Sequence, residues 1–334
     1  MNYSVWFILL FYCLVKNKRS GIVFLISVAT AFFHLALAWL PILIVILVSV
    51  IKKIVGDTSS IKKIFWVLAG VITGSLMRPQ PWGALKLAHI QVVQLVVEKF
   101  KGTPLRFGVE LNPGNHPSVV IHEILPITLI FTLVLVGLVL ILKRKNKLSN
   151  SNKVAIYSGL AISFIFGLLT YFTARRSVDI WVAFTFISAG LVFSIWLEEY
   201  KTIYKKVTAV SGFIMITVLI IMSVNTLWFV NGYFKKQPPP ETFKESASWL
   251  QKNSAQGDIV FNIHWDEFPL LFYWNSYNYY INGMDPIFEY AFNKKLYLEQ
   301  HFLEVDKVLL IDGIGYTCGS NPCVESAVKP VYEV

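Results

Sequence analysis

Residues 21–51 read GIVFLISVATAFFHLALAWLPILIVILVSVI, thirty-one positions without a Lys, Arg, Asp or Glu. About 20 apolar residues suffice for an α-helix to cross the roughly 30 Å of a bilayer's hydrocarbon, so this stretch is too long for one perpendicular helix. Lys16, Lys18 and Arg19 precede it, and Lys52 and Lys53 follow it. Basic loops favour the cytoplasmic side, so both flanks belong on that side and the stretch must turn back on itself. Proline removes an intrahelical donor and crowds the preceding turn, which puts the break between His34 and Pro41. The expectation is two short helices meeting near the outer surface, with His34 close to their turn.

The same reading extends in both directions. Met1 to Val15 is apolar but short, and no small-residue cleavage site separates it from the Lys16–Arg19 cluster, so it reads as a membrane helix ending in the cytoplasm and not as a signal peptide. After Lys62 and Lys63 a helix of about 15 residues leads out to Arg78, where Pro79, Pro81 and Gly83 break it. Residues 78–121 then face outside, and Trp82 to Phe100 has the mixture of apolar and polar positions of a helix lying along the interface. Further apolar runs occupy Ile124 to Leu142, Val154 to Tyr171, Val178 to Leu197 and Val207 to Val230. On this tracing the short inner loops carry 15 Lys or Arg and the outer segments before residue 235 carry 7, the bias expected of inward-facing basic loops.

Composition agrees. Of 334 residues, 55% are hydrophobic and 15% charged, with a mean hydropathy of +0.58, which excludes an ordinary soluble enzyme of this length. The net charge of +10 does not point to nucleic acid, because the basic residues form short clusters between apolar runs and not one face. The expected architecture is an α-helical polytopic membrane protein with about eight membrane segments in residues 1–234. A small extracytoplasmic α/β domain follows in 235–334, beyond the Pro238–Pro240 linker. That domain should hold a helix over Glu241 to Lys252 and strands over Asp258 to Asn262 and Val305 to Asp312. Cys13 reads as a buried neutral thiol. Cys318 and Cys323, in Cys-Gly-Ser-Asn-Pro-Cys, are open to either pairing or remaining free.

Several residues are candidates for chemistry, each with a structural alternative. Arg175 and Arg176 stand at an outer helix end against the positive-inside bias, where guanidinium forks suit the phosphate of a lipid carrier or snorkel into headgroups. His34 either lines a polar cavity or is satisfied in helix packing. Arg78, Trp82, Lys86 and His89 give the interfacial helix a cationic, aromatic edge that either meets lipid or sugar or is plain amphipathicity. Between residues 262 and 285, Trp265, Asp266, Asn282 and Asp285 lie among aromatic residues. Such a mixture suits either a sugar ring or a domain core with Asx turns. Glu110, His116, His122 and Glu123 match no zinc spacing, so no metal site is expected.

The outer run Gly-Ser-Leu-Met-Arg-Pro-Gln-Pro-Trp-Gly at 74–83, Ala-Arg-Arg-Ser-Val-Asp at 174–179, Trp-Asp-Glu-Phe-Pro-Leu-Leu-Phe at 265–272 and Asn-Gly-Met-Asp-Pro at 282–286 resemble bacterial GT-C membrane glycosyltransferases, the group of the protein mannosyltransferases. The resemblance is to the later part of such an enzyme. It implies an inner-membrane protein transferring a sugar from a polyprenyl-phosphate donor to an extracytoplasmic acceptor, with a divalent metal in some members. It also implies that Arg175 or Arg176, with Arg78, binds the carrier phosphate. The family's catalytic carboxylate stands in a large first outer loop, and no position here matches it. The expectation is therefore a truncated or split enzyme with a separate chain supplying the first part, or a non-catalytic binder of lipid-linked sugar, glycan or a partner protein.

Overall fold

The computed structural model describes residues 4–57, 61–105, 108–143, 148–200, 220, 224, 227–228, 230–232, 234–235, 238–262, 264–283, 285–301, 308–311 and 314–317. Most of the run at 207–230, with Cys318 and Cys323, lies outside the described residues. Two compact units emerge, one from Met1–His89 with Gly108–Ile216, the other from Ile90–Phe107 with Thr217–Val334.

The first unit holds helices α1 (Ser4–Val15), α2 (Ser20–Phe33), α3 (Trp39–Val55), α4 (Ile61–Leu76) and α5 (Pro81–His89). The second unit contributes α6 (Leu95–Phe100), after which the first resumes with α7 (Leu125–Lys143), α8 (Asn150–Phe172) and α9 (Val178–Tyr200). Four helical stretches, Leu35–Val55, Leu125–Leu142, Asn150–Phe172 and Arg175–Glu198, are long and apolar enough to cross a bilayer, and Ser4–Val15 and Ser20–Phe33 are shorter apolar helices. The break in the long run falls on His34, whose backbone (φ −144°, ψ 80°) leaves the helix while its N–H still donates to Thr30 O. A 3-10 turn, Leu35–Leu37, follows. Pro41 sits in the first turn of α3, where a missing N–H costs nothing.

The core of this unit joins Phe7, Leu10, Leu14, Val23, Ile44, Val48, Phe166 and Phe184, with Phe11 edge-on to Phe184 at 5.2 Å between ring centroids. In lipid such contacts stabilise by close packing more than by exclusion of water, which puts a premium on small residues. Gly70 and Gly74, four apart on α4, supply that against α2: a Cβ on Gly70 would stand 2.6 Å from Phe24 O, and one on Gly74 would collide with Val28 O. Hydroxyls inside these helices satisfy themselves on the preceding turn, Ser27 on Val23 O, Thr30 on Ile26 O and Thr170 on Phe166 O. On α7, Leu129, Leu133, Val136 and Leu140 stay exposed along one stripe, a surface that suits lipid and not water.

The turns of the unit separate into two ends. At one, the Nζ of Lys52 donates to Asn17 Oδ1, the Nζ of Lys63 donates to Asn17 Oδ1 and to Lys18 O (3.0 Å), and Lys16 reaches Ser151. At the other, the Gly114 N–H donates to Thr170 O (2.9 Å) and the Arg175 N–H to Asn112 O (2.8 Å), strapping the segment before α7 onto the α8–α9 turn. Ser149 starts α8 by accepting from the Asn152 N–H.

In the second unit, the helix expected near Glu241 is a 3-10 turn (Pro240–Phe243) running into α10 (Lys244–Asn253). Strands β1 (Ile259–Val260) and β2 (Tyr279–Tyr280) pair in parallel, with α11 (Phe268–Trp274) in the crossover that a parallel pair requires. Helices α12 (Pro286–Phe292) and α13 (Lys294–His301) follow, then a hairpin of β3 (Val308–Ile311) with β4 (Ile314–Thr317).

The interfacial helix expected over 82–100 is interrupted. A π-helical turn, Ile90–Gln94, separates α5 from α6, and residues 90–107 group with the second unit. The bonds that tie them there are side-chain bonds: the Tyr290 hydroxyl donates to Glu98 Oε2 (3.2 Å) and the Tyr297 hydroxyl to Pro104 O (3.0 Å). The boundary between compact units therefore does not follow the proline linker alone.

Candidate functional site

The break at His34 is the centre of the candidate site. The hinge leaves the imidazole half-buried between α2 and the 3-10 turn. Arg78, two residues past the end of α4, turns back so that its Nη1 donates to Phe32 O, with Ala31 O at 3.5 Å. A guanidinium there answers two of the carbonyls that the end of α2 leaves without helical partners, and it complements the negative end of the helix.

Arg175 and Arg176 form a 3-10 turn between α8 and α9. Arg175 is half-buried and its N–H is held by Asn112 O, whereas Arg176 is exposed. The Arg176 guanidinium reaches His34 electrostatically. Burial is the main cause pushing His34 below the usual imidazole range, and Arg176 and Arg78 add to it. Three of the expected residues, His34, Arg78 and Arg176, thus belong to one electrostatic cluster although 142 positions separate His34 from Arg176 (176 − 34).

A neutral imidazole beside two guanidiniums offers an N–H donor without adding charge. Cations beside a neutral N–H donor are the group types that the oxygens of a phosphate accept from. Trp39, at the start of α3, stacks on Phe166 with ring centroids 6.1 Å apart. Helix α5 packs against the 3-10 turn after His34, with Trp82 and His89 exposed at its two ends.

The second unit holds the other candidates. Trp265 is half-buried in a 3-10 turn (Trp265–Glu267) and Asp266 is exposed. Asp285 is half-buried at the N-cap of α12 without a capping side-chain bond. Asn282 is buried and engaged: its Nδ2 donates to Asn262 O (2.7 Å), its N–H to Asn262 Oδ1 (3.1 Å), and Asn262 Nδ2 donates to Asn282 O (2.6 Å). This reciprocal amide pair prolongs the β1–β2 ladder, so the Asn282 side chain serves the domain's own backbone.

Other residues came to notice only through the structure. Lys52 and Lys63 are buried, with 1% and 6% of their surface exposed, and share one amide oxygen. In the sequence their basic character marks only the membrane boundary. Glu289 on α12 keeps Oε1 sealed from solvent without a hydrogen-bond donor among the described residues, and burial pushes its carboxyl up to about 7. The divalent metal implied by the resemblance finds no donor set: among the described residues no three His, Cys, Asp or Glu side chains converge.

No family model, no curated protein and no solved structure matches this chain. Its class rests on its own helices, which mark it as a membrane protein. A cationic cluster lies at the hinge of one of them.

Proposed function

We propose that the chain is a multi-pass inner-membrane protein of about eight segments whose Arg176, Arg78 and His34 hold the phosphate of a polyprenyl-linked sugar. The end carrying Lys52 and Lys63 faces the cytoplasm, and the second unit is an extracytoplasmic α/β domain. The observation that carries the reading is the action of the exposed Arg176 and the helix-capping Arg78 on one half-buried imidazole. Together with the GT-C-like motifs, this supports a glycosyltransferase in which an acceptor hydroxyl attacks the anomeric carbon. The sugar–phosphate bond breaks, a carboxylate on the separate chain that supplies the first part takes the hydroxyl proton, and the cations take up the charge that develops on the departing lipid phosphate.

A second reading, a non-catalytic binder of lipid-linked sugar, glycan or a partner protein, is favoured by one observation. Arg176 and Arg78, the two cations that act on His34, bind an anion without themselves being able to take up a proton as a base. Photo-crosslinking of the purified protein to a polyprenyl-phosphate probe tests the shared core of both readings. Labelling lost in Arg175→Ala plus Arg176→Ala supports the phosphate site, and absence of labelling in the wild type removes it. Turnover of a radiolabelled polyprenyl-phosphate sugar then separates enzyme from binder.

A further inference from the structure

The β1–β2 ladder of the second unit carries apolar side chains on both faces. Side chains alternate between the two faces of a strand, and a half-buried sheet ordinarily turns its apolar residues inward. Here Val260 and Tyr280 turn inward, Tyr280 against Phe268, and the same face continues into Asn262 and Asn282, both buried and bonded to each other's backbone. Ile259, Phe261, Tyr279 and Ile281 have the opposite parity. Ile259 and Tyr279 are direct partners in the ladder and each is 70% exposed, while Phe261 is 43% exposed. The Tyr279 ring lies along Gly257, at 3.4 Å from the position a Cβ would take, and Gly257 is in the left-handed region at φ +86°. The exposed aromatic is thus held in place by backbone that no larger residue would allow without strain.

We infer that this face sits in the headgroup layer of the bilayer into which the same chain inserts. The covalent tether is short. The described residues at 220–234 are helical, with Ile220, Val224, Leu227 and Trp228 exposed, and they continue the apolar run expected to span the membrane. From Phe234 to Pro240, where the folded elements of the unit resume, six residues reach at most about 20 Å, so the first of those elements begins within that distance of the apolar run.

The chemistry of the face fits that location. Tyrosine and phenylalanine beside aliphatic side chains are the residues that settle between hydrocarbon and water. Along 257–262 and 279–282 the sole formal charge is Asp258, so the face selects a neutral interface and not anionic lipid. A sugar ring would need amide or carboxylate groups alongside the aromatics; the two asparagines are turned inward, and the Asp258 carboxylate accepts from the Ala255 N–H. A second copy of the chain is a poor occupant, because four side chains fall well short of the about 20 residues a side that a stable dimer uses.

The test uses the full chain in phosphatidylcholine nanodiscs, with Cys318 and Cys323 replaced by serine and buried Cys13 left in place. A fluorophore is attached at Ile259→Cys, at Tyr279→Cys or at Lys252→Cys on exposed α10, and quenched by lipid spin-labelled near the headgroup. The expected result is quenching several-fold stronger at 259 and 279 than at 252, unchanged when a third of the lipid is made anionic. Equal quenching at all three sites overturns the inference. So does protection of 259 and 279 that is independent of spin-labelled lipid, as a second copy or another segment of the chain would give. A label at Phe261→Cys should lose its quenching when Ile259→Ser and Tyr279→Ser are combined; retention there also overturns it.

Discussion

Arg78 donates from Nη1 to the main-chain oxygen of Phe32, so a residue just past the end of one helix closes the C-terminus of another 46 positions earlier. The bond fixes Arg78 in place within the cationic cluster, whereas Arg176 is exposed.

The two arginines should therefore separate by stability. Arg78→Ala leaves helix-end carbonyls unanswered and should cost about 1.5–3 kcal/mol, as loss of a charge-assisted hydrogen bond does. Arg176→Ala should shift the melting temperature of the detergent-solubilised protein by less than a degree or two, since exposed substitutions rarely exceed about 0.5 kcal/mol. Equal melting shifts would contradict the division of roles.

His34 reports on both cations. Burial above all holds its imidazole below the usual range and each cation adds to that, so removing either should raise the histidine's pKa, Arg176→Ala more than Arg78→Ala. Nitrogen-15 histidine spectra across a pH series, with the His34 signal assigned by His34→Gln, measure the two shifts. A fall in either variant would refute the arrangement.

The α2–α4 contact should be intolerant of any side chain at Gly74, where a Cβ meets the backbone oxygen of Val28 and not a movable side chain. Gly74→Val should cost at least the about 1–3 kcal/mol typical of overpacking and lower the yield of folded protein. Gly21→Val, at a position with open space around it, is the control, and its yield should match the wild type.

Glu289 and Glu98 should give the second unit opposite responses to pH. The Glu289 carboxyl, raised to about 7 by burial, is favoured in its neutral form, so its ionisation costs stability as pH climbs from the ordinary carboxylate range to about 7. Glu98 accepts from Thr103, Lys101 and Tyr290, and the Thr103 bond above all holds it below its usual range, so its stabilisation is lost as pH falls. Glu289→Gln should raise unfolding resistance at pH 8 relative to wild type and flatten the profile between pH 5 and 8. Hydrogen exchange of the peptides covering 286–301 is the measurement, and an unchanged profile would rule out the buried carboxyl as its cause.

At the basic end, Asn17 holds two buried ammoniums with a single amide oxygen and adopts a left-handed backbone at φ 51°. Asn17→Ala removes the acceptor and adds backbone strain, and should destabilise by about 1–3 kcal/mol. Asn17→Asp keeps the acceptor and supplies charge, so chemical denaturation should find it at least as stable as wild type.

Local patterns were legible because their causes are local. The break near His34 followed from basic residues on both flanks and Pro41 between them, and the helices over 125–143, 150–172 and 178–200 followed from apolar runs long enough to cross a bilayer. Grouping Arg78 and Arg176 as candidates needed only their positions at helix ends. Their joint action on His34 needed the fold, because α2, α4 and the α8–α9 turn are brought to one place by packing. Lys52 and Lys63 illustrate the limit: a basic pair marks a membrane boundary equally well whether it is solvated or buried.

The sequence by itself determined the membrane character, the hinge and the alternation of basic and less basic turns, since hydropathy and charge act on each segment against its solvent. The tertiary structure decided that residues 90–107 join the second unit, through bonds such as Glu98 with Tyr290 across 192 positions. It also decided that Asn262 and Asn282 turn inward while Ile259 and Tyr279 turn out. Strand parity leaves two choices of face, and only the partners that satisfy the buried amides select between them.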